Sequence, residues 1–440
     1  MAGGLMELTF KGNQDLYLIG NPQISFFKSI YKTHTNFAIE SKRLDLNKTT
    51  LNFINTTKFI CKIKRHGDLV SQMYLCVTLP NIYSDNLLKF KWVENIGQAL
   101  INSIEIYIGG SLIDKQYGEW MHIWNELTIS KSKRELYDKM IGNTLDMIDP
   151  TSYNGGIYPA NSIGGDASIK GRQLIIPLNF WFNNNIGLAL PLISIQYQEV
   201  ELYIELKGLN DLYLLYEGSD YVKPDINDVT HLFKNFVDTS EVLLTDSTIE
   251  IDPYLEANYI FLDNIEREEF AKKSIDYLIE QVVRIDMNYI KDEYNTLNLA
   301  LHNPVKELVW VFKRTDNELF NNWFNFTDKD LSMEIIKKCK LILNGLDRIE
   351  EKNGSYFSLV QPYQHHGQTK DGIYMYSFAL KPSIFQPSGS CNMSKVNKIQ
   401  LYLDLNTPLN NSYEYNLSLY SISYNFLRVM SGSANVAFHL

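Results

Sequence analysis

Cysteine is scarce and scattered in this 440-residue chain: Cys61, Cys76, Cys339 and Cys391 form no CxxC pair and no Cys/His cluster. Neither a zinc site nor a disulfide framework is expected, and a reducing compartment fits best. Histidine is also dispersed; only His365 and His366 adjoin, and on a strand successive side chains point to opposite faces, which argues against a shared metal. A basic excess is missing too. With 41 Lys and Arg against 51 Asp and Glu, the formal net charge is −10, which excludes a protein whose main task is to coat nucleic acid by neutralising phosphate. The N-terminus lacks a basic stretch followed by an apolar one, and no later run reaches the roughly 18 apolar residues of a membrane span, so neither secretion by the usual route nor membrane spanning is expected. No GxSxG elbow, GxxxxGK[ST] loop or GxGxxG after a strand occurs, which removes the common hydrolase and nucleotide-binding signatures.

What is present is an ordinary folded composition, 45% apolar, with 28 Tyr and 22 Phe. At about 100 to 200 residues per domain, two domains is the economical reading. The clearest periodicity is two. In Val200-Glu201-Leu202-Tyr203-Ile204-Glu205-Leu206 the even positions are apolar, and Ile399 to Leu405 repeats the pattern, as half-buried strands do.

These two segments belong to a long internal repeat. Leu75, Val77, Ile106, Ile108 and Gly110 align with Trp310, Phe312, Leu341, Leu343 and Gly345 at an offset of 235. The strand ending in Leu206 aligns with that ending in Leu405 at 199, and Tyr259 to Leu262 with Tyr424 to Leu427 at 165. The shrinking offset assigns 36 and then 34 extra residues to two connections of the first copy, about Tyr117 to Lys170 and about Lys207 to Ser240. The former should hold a helix after Ser132, where Ser132 and Glu135 have capping-box spacing. Many short strands in two similar units leave sandwiches, barrels and jelly rolls as candidates, because strand order is not readable from periodicity. A charged connector, Glu266 to Lys273, places the boundary near residues 265–274.

Charge is segregated. Through Arg65 the chain carries ten bases and four acids, a net of +6, which leaves −16 for the remainder; Leu209 to Glu256 holds eleven acids against Lys223 and Lys234. Two solvated faces would explain this, as would a polarised protein whose basic face meets an anionic partner.

Candidate chemistry is thin. Glu201 and Glu205 share a strand face, but four residues at about 3.3 Å each separate them by about 13 Å, too far for a glycosidase pair. The dense segment Glu119 to Glu126 has aromatics at helical spacing and reads as packing. No catalytic, cofactor or metal residues are assigned. Of seven glycosylation sequons, Asn353 and Asn410 are the candidates, as loop positions.

The residues themselves carry a resemblance. Gly3-Gly4-Leu5, Gly12 to Lys28 (GNQDLYLIGNPQISFFK) and Tyr31 to Ala38 (YKTHTNFA) are similar to the N-terminus of major capsid proteins of nucleocytoplasmic large DNA viruses, in particular the algal-virus and mimivirus-like branches. Arg65 to Val70, Pro177 to Phe182, Gly187 to Leu192, Tyr259 to Asp263, Tyr277 to Gln281 and Asn425 to Gly432 extend it over essentially the whole chain. The resemblance implies an all-β fold of two consecutive eight-stranded jelly rolls, a double jelly roll with a helix-containing long loop in the first. The division is an arm at 1–25, a first roll at 26–264, a linker at 265–274, a second roll at 275–430 and a tail at 431–440. It implies a non-enzymatic structural protein of the virion, without cofactors, assembled in the host cytoplasm as a homotrimeric pseudo-hexagonal capsomer of an icosahedral shell. Neighbouring capsomers, minor capsid proteins and an inner viral membrane are the implied partners, with no sequence-specific nucleic-acid binding. On that pattern Lys11, Lys28, Lys32, Lys42 and Arg43 form an inner-face basic arm and the acidic loop faces outward. Tyr203 and Tyr402, read as exposed, are candidate intersubunit contacts. A minor capsid or decoration paralogue of the same fold, and more remotely a carbohydrate-binding or carbohydrate-cleaving β-sandwich protein, remain open.

Overall fold

The computed structural model describes residues 3–218, 220–329, 333–408 and 412–438. The chain divides into two compact units, Met1–Phe37 and Ala38–Leu440. In the first, the short helices Gly3–Glu7 and Leu16–Ile19 bury no residue, and Phe10, Tyr17, Phe26, Phe27 and Tyr31 stand exposed.

The second unit is built from sixteen principal strands. The first eight are β1 (Phe37–Asp45), β2 (Thr57–Lys62), β3 (Leu69–Leu79), β4 (Ile101–Ile108), β5 (Ser111–Tyr117), β6 (Arg172–Pro177), β7 (Val200–Leu206) and β8 (Tyr254–Leu262). They form two sheets, in the orders β1-β8-β3-β6 and β2-β7-β4-β5. The second eight are β9 (Ile275–Ile290), β10 (Tyr294–Asn298), β11 (Pro304–Arg314), β12 (Ile336–Leu343), β13 (Leu346–Asn353), β14 (Ile373–Ser377), β15 (Ile399–Leu405) and β16 (Tyr415–Met430). Their sheets, β9-β16-β11-β14 and β10-β15-β12-β13, repeat the same order eight strands later. Both halves are jelly rolls, the two-sheet solution to burying one face of every strand.

Period-two alternation explains the core. In both β7 and β15 the odd-even pattern predicted from sequence is the burial pattern, with Leu202, Ile204, Leu401 and Leu403 inside. Between the rolls, helix Asn264–Lys272 is capped by Asp263, whose Oδ1 accepts the Glu266 amide at 2.9 Å. The first long connection holds α1 (Gly118–Thr128) and α2 (Lys131–Ile141). The capping box placed at Ser132 is not formed. The backbone turns helical at Lys131, so Ser132 lies inside the first turn; the cap position is Ser130, and Glu135 pairs with Lys139 at 2.7 Å instead.

The repeat extends to the finest detail of the β4–β5 and β12–β13 hairpins. Each closes through a two-residue turn, Gly109-Gly110 (φ 57° and 81°) or Asn344-Gly345 (φ 50° and 82°). Positive φ at both central residues matches the right-handed twist of the strands, which is why Gly and Asn occupy these positions. Each hairpin then breaks register at the same step, leaving Ile113 or Arg348 without a partner across the ladder; the second hairpin breaks once more, between Cys339 and Leu341.

A Cβ on Gly345 would meet nothing within 4 Å, so only its backbone conformation resists substitution. Gly345→Val should lower the unfolding free energy by about 1–2 kcal/mol, and Gly345→Asn by less, in urea denaturation; equal losses would show that φ is not the constraint.

Candidate functional surfaces

The most heavily built surface is the seam between the rolls. In β11, Leu308, Trp310 and Phe312 fill the second roll's own core, whereas Val309 and Val311 join Tyr420 and Ile422 in the core of the first roll. The strand is therefore buried on both faces, which is why its sequence is a near-continuous apolar run and not an alternation. Against this sheet lie β5 and α1. Trp120 packs on Tyr420 with ring centroids 5.1 Å apart, and His122 stacks on Phe324 at 4.2 Å.

The seam also buries charge, and pairs it. Glu119 of α1 is bound by the Lys313 ammonium and accepts the Tyr420 hydroxyl at 3.1 Å. Burial alone would raise its pKa; the Lys313 and Arg284 charges outweigh this and hold it below the usual carboxylate range. Lys306, 1% exposed, donates to Glu280 at 2.6 Å and to the Pro382 carbonyl at 2.8 Å. Burial lowers Lys207 to about 8, its ammonium sitting 3.6 Å over the Trp323 ring. Among the described residues Asp114 on β5 pairs with no cation. Burial pushes its carboxyl up to about 7, although Gln116 Nε2 and the Val282 amide donate to it at 2.7 and 3.3 Å.

The residues singled out from sequence are dispersed. Lys11, Lys28 and Lys32 lie in the first unit and are exposed. Lys42 and Arg43 lie on β1, where Lys42 pairs with Glu40 at 3.3 Å and Arg43 with Asp45 and Asp252 at 2.7 and 2.9 Å. The basic segment and the acidic loop thus meet at Arg43–Asp252. Much of the loop's acid is used internally: Asp225, Asp228 and Asp238 accept the amides of Asn227, Thr230 and Ser240 at 2.8–2.9 Å.

Tyr203 and Tyr402 are half-buried, not exposed. The Tyr203 hydroxyl donates to Glu201 at 3.1 Å while its ring meets Tyr107 edge-on, and Tyr402 stacks beside Tyr294. Cross-strand neighbours cover them, as expected of large rings on a sheet face. Asn353 is the last residue of β13 and pairs with Lys338, so it is a strand end and not a loop position; Asn410 lies outside the described residues. His365 and His366 close a helical turn instead of lying on a strand. His366 Nε2 bonds the buried Glu307 at 2.9 Å and His365 Nδ1 the Leu380 carbonyl at 3.1 Å.

Among the described residues no three His, Cys, Asp or Glu converge as metal ligands, and no helix is long and apolar enough to cross a membrane. Cys61, Cys76 and Cys339 are buried free thiols, raised by desolvation, Cys76 to about 11. The densest polar contacts described lie in the packed seam between the rolls.

Two tandem jelly rolls joined in this way make a double jelly roll, and comparison with known proteins supplies its role. Residues 25–263 match the family described as major capsid protein N-terminus, and residues 266–435 that described as large eukaryotic DNA virus major capsid protein. The chain is 35% identical to the major capsid protein of Pyramimonas orientalis virus and 31% identical to that of Paramecium bursaria Chlorella virus 1, each alignment covering the whole of both chains. The crystal structure of PBCV-1 VP54 superposes with a TM-score of 0.74 at 26% identity, covering 94% of this chain and all of that one. The Faustovirus major capsid protein, at 13% identity and a TM-score of 0.70, shares the fold over 96% of this chain and 94% of its own. The chain belongs to the major capsid proteins of large eukaryotic DNA viruses, and its function is to build the capsid.

The seam yields two expectations. Lys313→Ala leaves Glu119 buried without its cation and should cost about 3 kcal/mol or more, whereas Glu119→Gln/Lys313→Met should recover most of that loss in the same urea titration. For Asp114, the fold favours the protonated form. Its contribution to stability is full below the unfolded value near 4 and is lost as pH rises through about 7. Asp114→Asn should therefore raise the melting temperature at pH 8 and leave it nearly unchanged at pH 4; an equal gain at both would show that charge is not the cause.

Proposed function

We propose that three copies of this chain close into a trimer of six jelly rolls, a pseudo-hexagonal capsomer that tiles the facets of an icosahedral shell. The observation that carries this reading is the match between the two rolls, down to strand order, hairpin turn and register break. A ring of three such chains presents six nearly equivalent units at its rim, and a six-fold tile fills a plane. Contacts between capsomers then make the lattice, and the role is structural, with no catalysis and no cofactor.

In this reading Lys11, Lys28 and Lys32, interleaved with exposed Leu16, Ile24, Phe26, Phe27 and Ile30, form an arm directed to the particle interior. Basic and apolar residues in alternation suit an anionic lipid surface or acidic minor capsid proteins, and Lys42 and Arg43 follow this segment in the sequence. Tyr203 and Tyr402, which the repeat relates by its offset of 199, are contact positions between copies. Assembly takes place in the host cytoplasm.

Light scattering after size exclusion should give a mass near three times 51.0 kDa, and removing residues 1–25 should keep that mass while reducing assembly of shells. A monomer in the first measurement, or loss of the trimer in the second, would contradict the trimer or the arm assignment respectively. Tyr203→Ala should lower the concentration stability of the trimer; an unchanged dissociation curve removes that residue from the interface.

A further inference from the structure

The repeat supplies a rule for locating contacts that a single chain leaves unmade. Within the chain, β5 is the edge of its sheet and is covered by the second roll: Ile113, Asp114 and Gln116 are 1–3% exposed. Its counterpart β13 is the edge of the corresponding sheet, yet every residue in it is exposed except Ile349, which is half-buried. The receiving sheet shows the reverse asymmetry. Tyr277, Ile279 and Gln281 of β9 are buried beneath the first roll, whereas β1, the corresponding strand of the first roll, is exposed from Phe37 to Ser41. One edge and one face of the same kind are satisfied inside the chain, and one of each is not. A long exposed edge strand is a liability for a monomer, because its ladder groups are open to pairing.

We propose that β13 docks on β1 and β8 of a second copy of this chain, repeating between chains the contact that β5 makes with β9 and β16 within one. This rests on the trimer reading and deepens it by naming the two surfaces. Each chain then offers one edge and receives one, a heterologous contact that closes into a ring when the rotation is three-fold.

The register can be carried across. Ser41 Oγ donates to Glu256 at 2.7 Å and the Arg43 guanidinium lies 4.1 Å over the Tyr254 ring, which sets Ile39 opposite Asn258. Gln281 is opposite Ser423 in the second roll, and Asn258 and Ser423 are related by the offset of 165. Ile39 is therefore the image of Gln281, and Glu40 that of Val282. Within the chain, Gln281 Nε2 donates to the Ile113 carbonyl at 2.5 Å and the Val282 amide to Asp114 at 3.3 Å. The image of Ile113 is Arg348 and that of Asp114 is Ile349. Between chains this sets Arg348 beside Ile39 and Ile349 beside Glu40; beyond Ile349 the second hairpin breaks register once more, between Cys339 and Leu341, and the correspondence ends there. Arg348 of one chain then lies near Glu40 of the other, base facing acid.

The test uses the full chain and starts from the mass of the unmodified protein. Ile39→Cys/Arg348→Cys, oxidised and run on a non-reducing gel, should give covalent dimer and trimer, while each single variant stays at the monomer position. Hydrogen exchange on the unmodified protein guards against a variant that does not fold: amides of residues 346–353 should exchange at least about ten-fold more slowly in the trimer than in the chain dissociated by dilution. A trimer by mass with neither cross-link nor protection would overturn this docking and leave the trimer standing. A monomer at all concentrations would overturn both.

Discussion

The burial of the second roll's outward sheet by the first roll is the interaction on which the rest of this structure depends. A jelly roll ordinarily packs one face of each sheet and wets the other. Here β11 from Val305 to Phe312 and β16 from Leu417 to Asn425 are dry on both faces, with Leu308, Trp310 and Phe312 turned to one core and Val309 and Val311 to another. The two rolls therefore cannot separate without exposing apolar area on both, and their relative rotation is set by packing and not by the helix Asn264–Lys272 that links them. In the proposed trimer, that rotation is what would make one chain a third of a ring.

Burying so large a surface brought charges with it. Glu119, Lys306 and the His366–Glu307 pair are withdrawn from water, Lys313 and Glu280 are half-buried, and all are partnered. Such pairs are weak contributors to stability compared with apolar replacements, but a misplaced one is costly. Their effect here is on register: Glu119 reaches Lys313 and Tyr420 together only when α1 lies at one position along β11 and β16. Apolar packing favours contact between the rolls, and the buried pairs select one contact among many.

How far this was legible in the sequence differs by element. Where one face of a strand is wet, as in β7 and β15, alternation identified it and the repeat was visible at once. The strand order was not in the periodicity; it came with the family resemblance. The seam was not legible because a strand buried on both sides loses its period, so Val305 to Phe312 carries no sign of which residues face which core. Glu119 was placed correctly in a packed helix, but its partner is 194 residues away, a separation no local pattern spans. The same limit explains Lys42 and Arg43, counted as free positive charge yet paired with acids, one of them Asp252 from the opposite charge run. It explains Tyr203 and Tyr402 too, whose covering neighbours come from other strands. His365 and His366 were judged by strand geometry in a segment that is a helical turn.

The two rolls differ most where they should be most alike if both served the same contact. The sheet of the second roll that meets the first is lined by valine, isoleucine and tyrosine, while the equivalent face of the first roll presents Ile39, Ser41, Arg43, Glu256 and Asn258. Covalent linkage accounts for the difference. Two rolls on one chain meet at high effective concentration and need never part, so an apolar contact between them carries no solubility cost. A surface that must stay in water until another chain arrives has to be polar enough to avoid aggregation, and so is built from charges that recognise a partner without sticking to everything else. In the proposed docking the same contact thus takes two forms: a dry one that fixes geometry within the chain and a wet one that is free to assemble between chains.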